Sequence, residues 1–362
     1  MWLECKSTRL GGKSTWLEDK SKWLEGKSTW LEGIRRVRAV KPSVMATDSP
    51  SSVAFRLSTP EDKDAVLSIH GNVYEGRDYL PAYYDKFMEC AMTKSYVAVL
   101  DGEIVGFCAS LLVDSGKTCV SRASRVSPRV ASKGVYTALK AHAYAQSGAI
   151  RQTSVVVDAN QAVLKPTFQV NKKLILTHLM TRYVFDAAQL TSLDVCPSQG
   201  VVNTPNQSAL LRYLTTPAVS NYLFPDDRIV VDWIPFRLKP ENVPLLTWSG
   251  SNCAGFTSVP EGESPSGLLS FDTIFKSIDP PYACNMEIYG TDITTLKHHL
   301  AFHLRRIREL TNGPTSLLVI VHPGFNHSYL KKTFREFGLE TELWRSKVNP
   351  SLCYSKQFVF ES

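Results

Sequence analysis

Residues 125–136 read Arg125-Val126-Ser127-Pro128-Arg129-Val130-Ala131-Ser132-Lys133-Gly134-Val135-Tyr136, and they join a β-like run, Thr118 to Val126, to a helix-like run, Val135 to Gln146. A chain that leaves a strand, turns through small residues and enters a helix gathers unpaired backbone N–H groups and the positive end of the helix dipole at one spot. That spot favours a phosphate. An ordinary strand-to-helix connection with a serine-rich turn has the same composition, so the neighbouring sequence has to decide.

Ahead of the segment come a strand, Val53 to Leu57, and a helix opening Thr59-Pro60-Glu61-Asp62, where Thr59 suits a cap, Pro60 the first helical position and Asp62 the first turn. The runs Tyr96 to Leu100 and Glu103 to Val113 flank Asp101-Gly102 and read as a hairpin. Behind the segment come the β-branched run Ser154 to Val157, a helix, and the strand Leu174 to Phe185. Read from Arg129, the turn resembles the acetyl-CoA loop of GNAT acetyltransferases, Q/R-x-x-G-x-G/A, with Gly134 in place and Ser132 where the first glycine belongs. The order β-α-α-β-β-β-α-β-α-β is that of a GNAT domain.

Three segments narrow the resemblance. Val73-Tyr74-Glu75-Gly76-Arg77-Asp78-Tyr79-Leu80-Pro81 matches I-Y-G-G-L-D-Y-L-P, Arg125-Val126-Ser127-Pro128 with Lys133-Gly134-Val135 matches R-V-A-P…K-G-V, and Asp232-Trp233-Ile234-Pro235-Phe236-Arg237 matches Q-D-W-Q-P-Y-R. Tyr289-Gly290-Thr291-Asp292 echoes F-G-S-D. From about Val53 to the C-terminus the chain is similar to the histidine N-acetyltransferase family and its probable N-acetyltransferase 16 relatives. The resemblance implies an α+β GNAT acyl-CoA N-acyltransferase fold.

Past a Ser-, Pro-, Gly-, Thr- and Asn-rich stretch the sequence gives a helix, Ser208 to Leu223; a strand, Arg228 to Arg237; a short helix, Pro240 to Thr247; and strands Leu268 to Phe275 and Ala283 to Tyr289. A long helix from Asp292 to Leu310, the strand Leu317 to Val321, a helix His327 to Gly338 and a last strand Lys356 to Phe360 follow. This final β-α-β has the cadence of a GNAT closing unit, so a second, degenerate GNAT-like domain is expected; an α+β domain of unrelated topology is the alternative. The expected organisation is a repeat at 1–44, a GNAT domain at 45–190, a linker at 191–206 and the second domain at 207–362. On the long helix, His299 and His303 share a face at i, i+4, but no Glu forms H-E-x-x-H and Arg305 and Arg306 follow, so a solvated face is expected and no residue is assigned to a metal.

Residues 1–44 repeat Trp-Leu-Glu-Gly-Lys-Ser-Thr on a seven-residue grid through Trp2, Trp16, Trp23 and Trp30. Trp and Leu are adjacent rather than at a and d, which argues against a coiled coil. Gly12-Lys13-Ser14 mimics the end of a P-loop without its strand or first glycine. The stretch reads as a low-complexity or gene-model extension, with Met45 opening the globular protein. It carries ten Lys and Arg against five Asp and Glu, so +5 of the chain's +7 sits there and +2 remains for residues 45–362. That near-neutral remainder, with no basic stripe interleaved with aromatics, argues against a nucleic-acid surface. The eight cysteines include no C-x-x-C pair, as expected of reduced cytoplasmic thiols, and no apolar run reaches membrane-spanning length.

Acetyl transfer to an amine needs a docked thioester, a neutral amine, a path for its proton and donors for the oxyanion. The resemblance implies that Val126, Arg129, Ser132, Lys133, Gly134 and Val135 hold acetyl-CoA as co-substrate, and that Tyr74, Asp78 and Tyr79 lie on the acceptor side. It assigns no catalytic residue, because Arg122 and Cys108 stand where the family has acids and Asn171 where it has a tyrosine. Arg122 becomes a candidate clamp for a substrate carboxylate. The expected activity is N-acetylation of a free amino acid or small amine, histidine by resemblance; the alternative is an impaired GNAT-fold protein that binds coenzyme A or a partner.

Overall fold

The hairpin turn at Asp101-Gly102 forms at φ of 52° and 81°, left-handed positions that Asp and Gly tolerate, and it sets the register of the first strands. In the computed structural model the first half runs β1 (Ala54–Leu57), a 3₁₀ turn (Pro60–Asp62), α1 (Lys63–Ser68), a second 3₁₀ turn (Tyr74–Gly76), α2 (Leu80–Glu89), β2 (Thr93–Leu100), β3 (Glu103–Val113), β4 (Thr118–Val126), α3 (Val135–Ser147), β5 (Arg151–Val157) and β6 (Lys173–Asp186). The structure describes residues 53–71, 73–131, 133–157, 172–190, 193, 202–248, 252–256, 265–340 and 355–362. The Trp repeat and the helix expected after β5 therefore lie outside the described residues. So does most of the 191–206 stretch.

The second half runs α4 (Gln207–Thr215), α5 (Pro217–Leu223), β7 (Arg228–Val231), β8 (Ile234–Arg237), a 3₁₀ stretch (Pro240–Thr247), β9 (Asn252–Phe256), β10 (Leu269–Lys276), β11 (Tyr282–Tyr289), α6 (Leu296–Leu310), β12 (Pro314–Val321), α7 (His327–Glu336) and β13 (Ser355–Glu361). Two expected elements divide. The helix 208–223 breaks because Pro217 lacks an N–H and holds Thr216 extended at φ −82°, ψ 111°. The strand 228–237 folds back on itself because Asp232 and Trp233 take φ of 51° and 64°, pairing Val231 with Ile234. The long helix also starts four residues later than expected, at Leu296.

All strands but the β7–β8 hairpin join one 11-stranded sheet, ordered β1-β2-β3-β4-β5-β13-β6-β12-β11-β10-β9. The two halves are built alike around it. In the first, β4 runs parallel to β5, and β5 pairs antiparallel with β13; in the second, β11 runs parallel to β12, and β12 pairs antiparallel with β6. Each half thus closes on the last strand of the other, and β6 and β13 pair at the centre.

Helix α2 places Leu80, Tyr83, Tyr84 and Phe87 on one face, each at most 1% exposed, against Val97 and Phe107 of the first half and Phe275 and Ala283 of the second. A second cluster joins Leu111, Val113 and Val120 to Ile229, Phe236 and Phe271. On α6 the expected solvated face is buried: His298 is 7% exposed and His299 and His303 are 0%. β10 supplies their partners, with Ser270 Oγ 2.6 Å from His299 Nδ1 and 2.7 Å from His303 Nε2, and Asp272 Oδ2 2.7 Å from His303 Nδ1. A polar ridge meets a polar strand, so His299 and His303 sit in a core stripe bonded to side chains of β10.

Candidate active site

Strands β4 and β5 pair at three positions, Thr118 to Val120 with Arg151 to Thr153, and then part. β4 continues along β3 to Val126, while β5 continues along β13 to Val157. Beyond Val120 this leaves a stretch of β4 edge facing an opening, and backbone N–H and C=O groups on such an edge receive an extended chain as a further strand would. At the mouth of the opening β4 bulges. Arg122 pairs with Ala109 and Arg125 with Phe107, so Ala123 and Ser124 together face Cys108, with Ala123 at φ 50°. A bulge re-aims the backbone and local side chains. Here Arg122, Ala123 and Arg125 all pack on the α2 side of the sheet, against Asp232, Tyr79 and Asp78 respectively.

The loop below the opening is built as the sequence suggests. Ser127 leads into a 3₁₀ turn, Pro128–Val130, and Gly134 at φ 78° forms the N-cap of the 13-residue α3. Among the described residues no side chain caps that terminus, and no acid stands in its first turn to neutralise the dipole end. Buried Val130 and Val135 anchor the loop, and half-buried Val126 packs with them. Lys133 is exposed. Arg129 is turned to an ion pair with Glu103, both half-exposed or more. Ser132 lies outside the described residues.

On the acceptor side, three of the four residues singled out in the sequence converge on the bulge. Asp78, 2% exposed, accepts two hydrogen bonds from Arg125, at 2.7 and 2.8 Å. Tyr79 Oη accepts the Ala123 N–H at 2.7 Å. Arg122, 3% exposed, lies 4.9 Å from the centroid of the Tyr79 ring and donates to the carbonyl and, at 3.2 Å, to the carboxylate of Asp232. Tyr74, the fourth, stacks on Tyr79 with centroids 6.0 Å apart and is 51% exposed, so it forms the outer wall. The charge of Arg122 is thus answered within the protein, by a residue 110 positions away that sequence reasoning did not connect to it.

The second half contributes more than Asp232. Arg77 reaches the Ser316 carbonyl, Ser316 Oγ at 2.6 Å, the Cys284 carbonyl at 3.1 Å and Asn285 Oδ1 at 2.9 Å. Gly76 accepts the N–H groups of Ile278 and Asp279 and could not carry a side chain, since a Cβ would fall 2.2 Å from the Asp279 carbonyl oxygen. Glu287 accepts the Asp232 N–H at 3.1 Å, and its other oxygen has no hydrogen-bond partner among the described residues. Burial, and then the charge of Asp232, push the Glu287 carboxyl well above the usual range.

The same positions in the second half are closed. β11 and β12 pair at seven positions, from Tyr282–Thr315 to Ile288–Val321, and β10–β11 runs without a bulge. The turn after β11 carries Asp292, which accepts the N–H of Gly267 at 3.0 Å and of Thr294 at 2.8 Å ahead of α6. A carboxylate there repels an anion. Among the described residues the parted pair of strands belongs to the first half.

The sheet and its duplicated plan give the chain a tandem GNAT fold, and its relatives support an N-acetyltransferase. Within that class it is similar to histidine N-acetyltransferases: residues 197–322 match the family described as histidine N-acetyltransferase, C-terminal. The chain is 22% identical over 298 residues to the histidine N-acetyltransferase of Oreochromis niloticus, covering 76% of this chain and 86% of that one. It is 25% identical over 277 residues to the probable N-acetyltransferase 16 of Homo sapiens, covering 70% and 72%. Among solved structures, a tandem GNAT protein from the clavulanic acid biosynthesis pathway has a TM-score of 0.52 at 15% identity, over 86% of this chain and 98% of that one.

Proposed function

We propose that residues 45–362 transfer the acetyl group of acetyl-CoA to the amine of a free amino acid. The observation that carries this is the parting of β4 from β5 where β4 runs on through the loop to the N-terminus of α3. Pantetheine amides would pair with the β4 edge from Arg122 to Val126, and the pyrophosphate would sit on the amides that open α3 at Gly134 and Val135, since those of Val130, Ala131 and Lys133 bond within the turn, with exposed Lys133 adding charge. Tyr74, Asp78, Tyr79 and Arg122 would bound the acceptor. The relatives named for histidine make it the first acceptor to test. Since Arg122 and Arg125 are each paired with a carboxylate, the site suits a neutral acceptor, histidine with an uncharged imidazole included, as readily as an acidic one.

The non-catalytic alternative finds no support in the relatives, and the first half keeps the parted strands that the second half lacks. Cys90, Cys108, Cys119 and Cys284 are free thiols, which supports a cytoplasmic enzyme. Among the described residues no helix is long and apolar enough to cross a membrane.

Two measurements test the reading. Free thiol released from acetyl-CoA, followed against each free amino acid, should rise with at least one of them; no release with any removes the acceptor class. Gly134→Pro cannot adopt the φ of 78° that aims the loop and should abolish acetyl-CoA binding in calorimetry while the protein stays folded. Undiminished binding would move the coenzyme site elsewhere.

A further inference from the structure

At the bulge the described residues offer few groups able both to give and to take a proton. Arg122 and Arg125 stay charged and are each held by a carboxylate, at 3.2 and 2.7 Å. Cys108 packs on the α3 side, fully buried, where burial raises its thiol. Tyr79 is different: it is only partly buried, and its bond to the Ala123 N–H uses Oη as the acceptor, leaving the hydroxyl proton to be given. The Arg122 guanidinium, 4.9 Å from the ring centroid, stands where a cation answers the negative charge that a phenol acquires on losing its proton. Asp232, on the hairpin of the second half, fixes that guanidinium and is itself fixed by Glu287 and by Asn285 Nδ2 at 3.4 Å.

Building on the acetyl-transfer reading above, we propose that Tyr79 is the catalytic proton-transfer residue and that Asp232, acting through Arg122, is its positioning residue. The acceptor nitrogen bonds to the thioester carbon, and the tetrahedral intermediate collapses with cleavage of the C–S bond. Tyr79 gives its proton to the departing sulfur, and the phenolate recovers one from the newly acylated nitrogen. An amide and a free thiol leave, and the tyrosine is unchanged. A consequence is that the half without an opening of its own still takes part in the chemistry of the other.

Tyr79→Phe keeps the ring and its stacking on Tyr74 and removes only the hydroxyl. It should lower kcat by about 100-fold or more, within the range that positioned proton transfer contributes. Acetyl-CoA should bind it in calorimetry within about threefold of the wild type, which separates chemistry from coenzyme binding. Arg122→Met and Asp232→Asn should each lower kcat with the KM for acetyl-CoA unchanged, and Arg122→Lys should restore most of the loss. The kcat–pH profile should change shape in Tyr79→Phe and in Asp232→Asn, neither of which a purely structural role would produce. A Tyr79→Phe protein with wild-type kcat and pH profile overturns the proposal while leaving the acetyl-transfer reading intact. A wild-type protein that binds acetyl-CoA and acetylates no amine overturns both. Should Tyr79→Phe fail to fold, the pH profiles of the Arg122 and Asp232 variants decide: profiles like the wild type's overturn the proposal.

Discussion

Asp78 and Arg125 carry two of the motifs by which the sequence is recognised, and in the structure they are two ends of one buried, bidentate ion pair 47 positions apart. Removing one partner leaves a buried charge uncompensated, so Asp78→Ala should lose about 3–5 kcal/mol in urea unfolding. Motif residues of this kind are visible in the sequence; their partners are not. Arg122 looks like a free cation when read along its strand, and nothing near it in sequence announces Asp232. The histidines were hidden for the same reason, since only β10 shows what they bond. Burial holds neutral His178 and His327 to about 4 and His299 to about 3. These values lie below that of an unfolded histidine, so the stability they contribute is intact above about pH 6.5 and is lost as pH falls toward 4 and below, on the order of 3 kcal/mol for His178 alone. Melting temperature should fall steeply across that window, and His178→Gln should flatten part of the fall.

Elements were legible where local chemistry dictates them. The Asp101-Gly102 turn and the strand-to-helix loop both announce themselves. The Asp232-Trp233 turn does not, because it has no glycine and its flanks, Val230-Val231 and Ile234, read as one continuous strand. Nor does sequence show that β4 leaves β5 after three pairs while β11 follows β12 for seven, since parting is a property of two strands and their supports. Glu287 on β11 gives this scale a test. Its carboxyl is held neutral in the folded state, whereas the unfolded chain sheds that proton above about pH 4.3; the stability it contributes is therefore present below that pH and lost above it. Glu287→Gln keeps an acceptor for the Asp232 N–H and has no proton to lose. At pH 7 it should be more stable than the wild type, with the difference gone near pH 4. A less stable variant at pH 7 would mean that Glu287 is ionised in the fold.

At the scale of the whole molecule, the duplicated plan was legible from the cadence of β12, α7 and β13, but the exchange of closing strands was not. Pairing Thr153 with Glu361, or Leu179 with Val321, is a choice between equally β-prone partners that only the assembled sheet makes. The exchange predicts that a fragment ending at residue 190 will not fold alone, because β5 would lose β13 and β6 would lose β12. Circular dichroism of that fragment should show no cooperative melt, and one should appear when residues 191–362 are added. A cooperative melt of the isolated fragment would mean that its own β6 can take the place of β13. The same exchange bears on descent. A half that lends its final strand to its neighbour cannot be deleted without taking the neighbour with it, so its opening is free to close and its loop free to acquire Asp292 while the half itself is kept. What persists through such drift is whatever the surviving site still borrows, and here that includes a strand, an aspartate and the side chains that hold it.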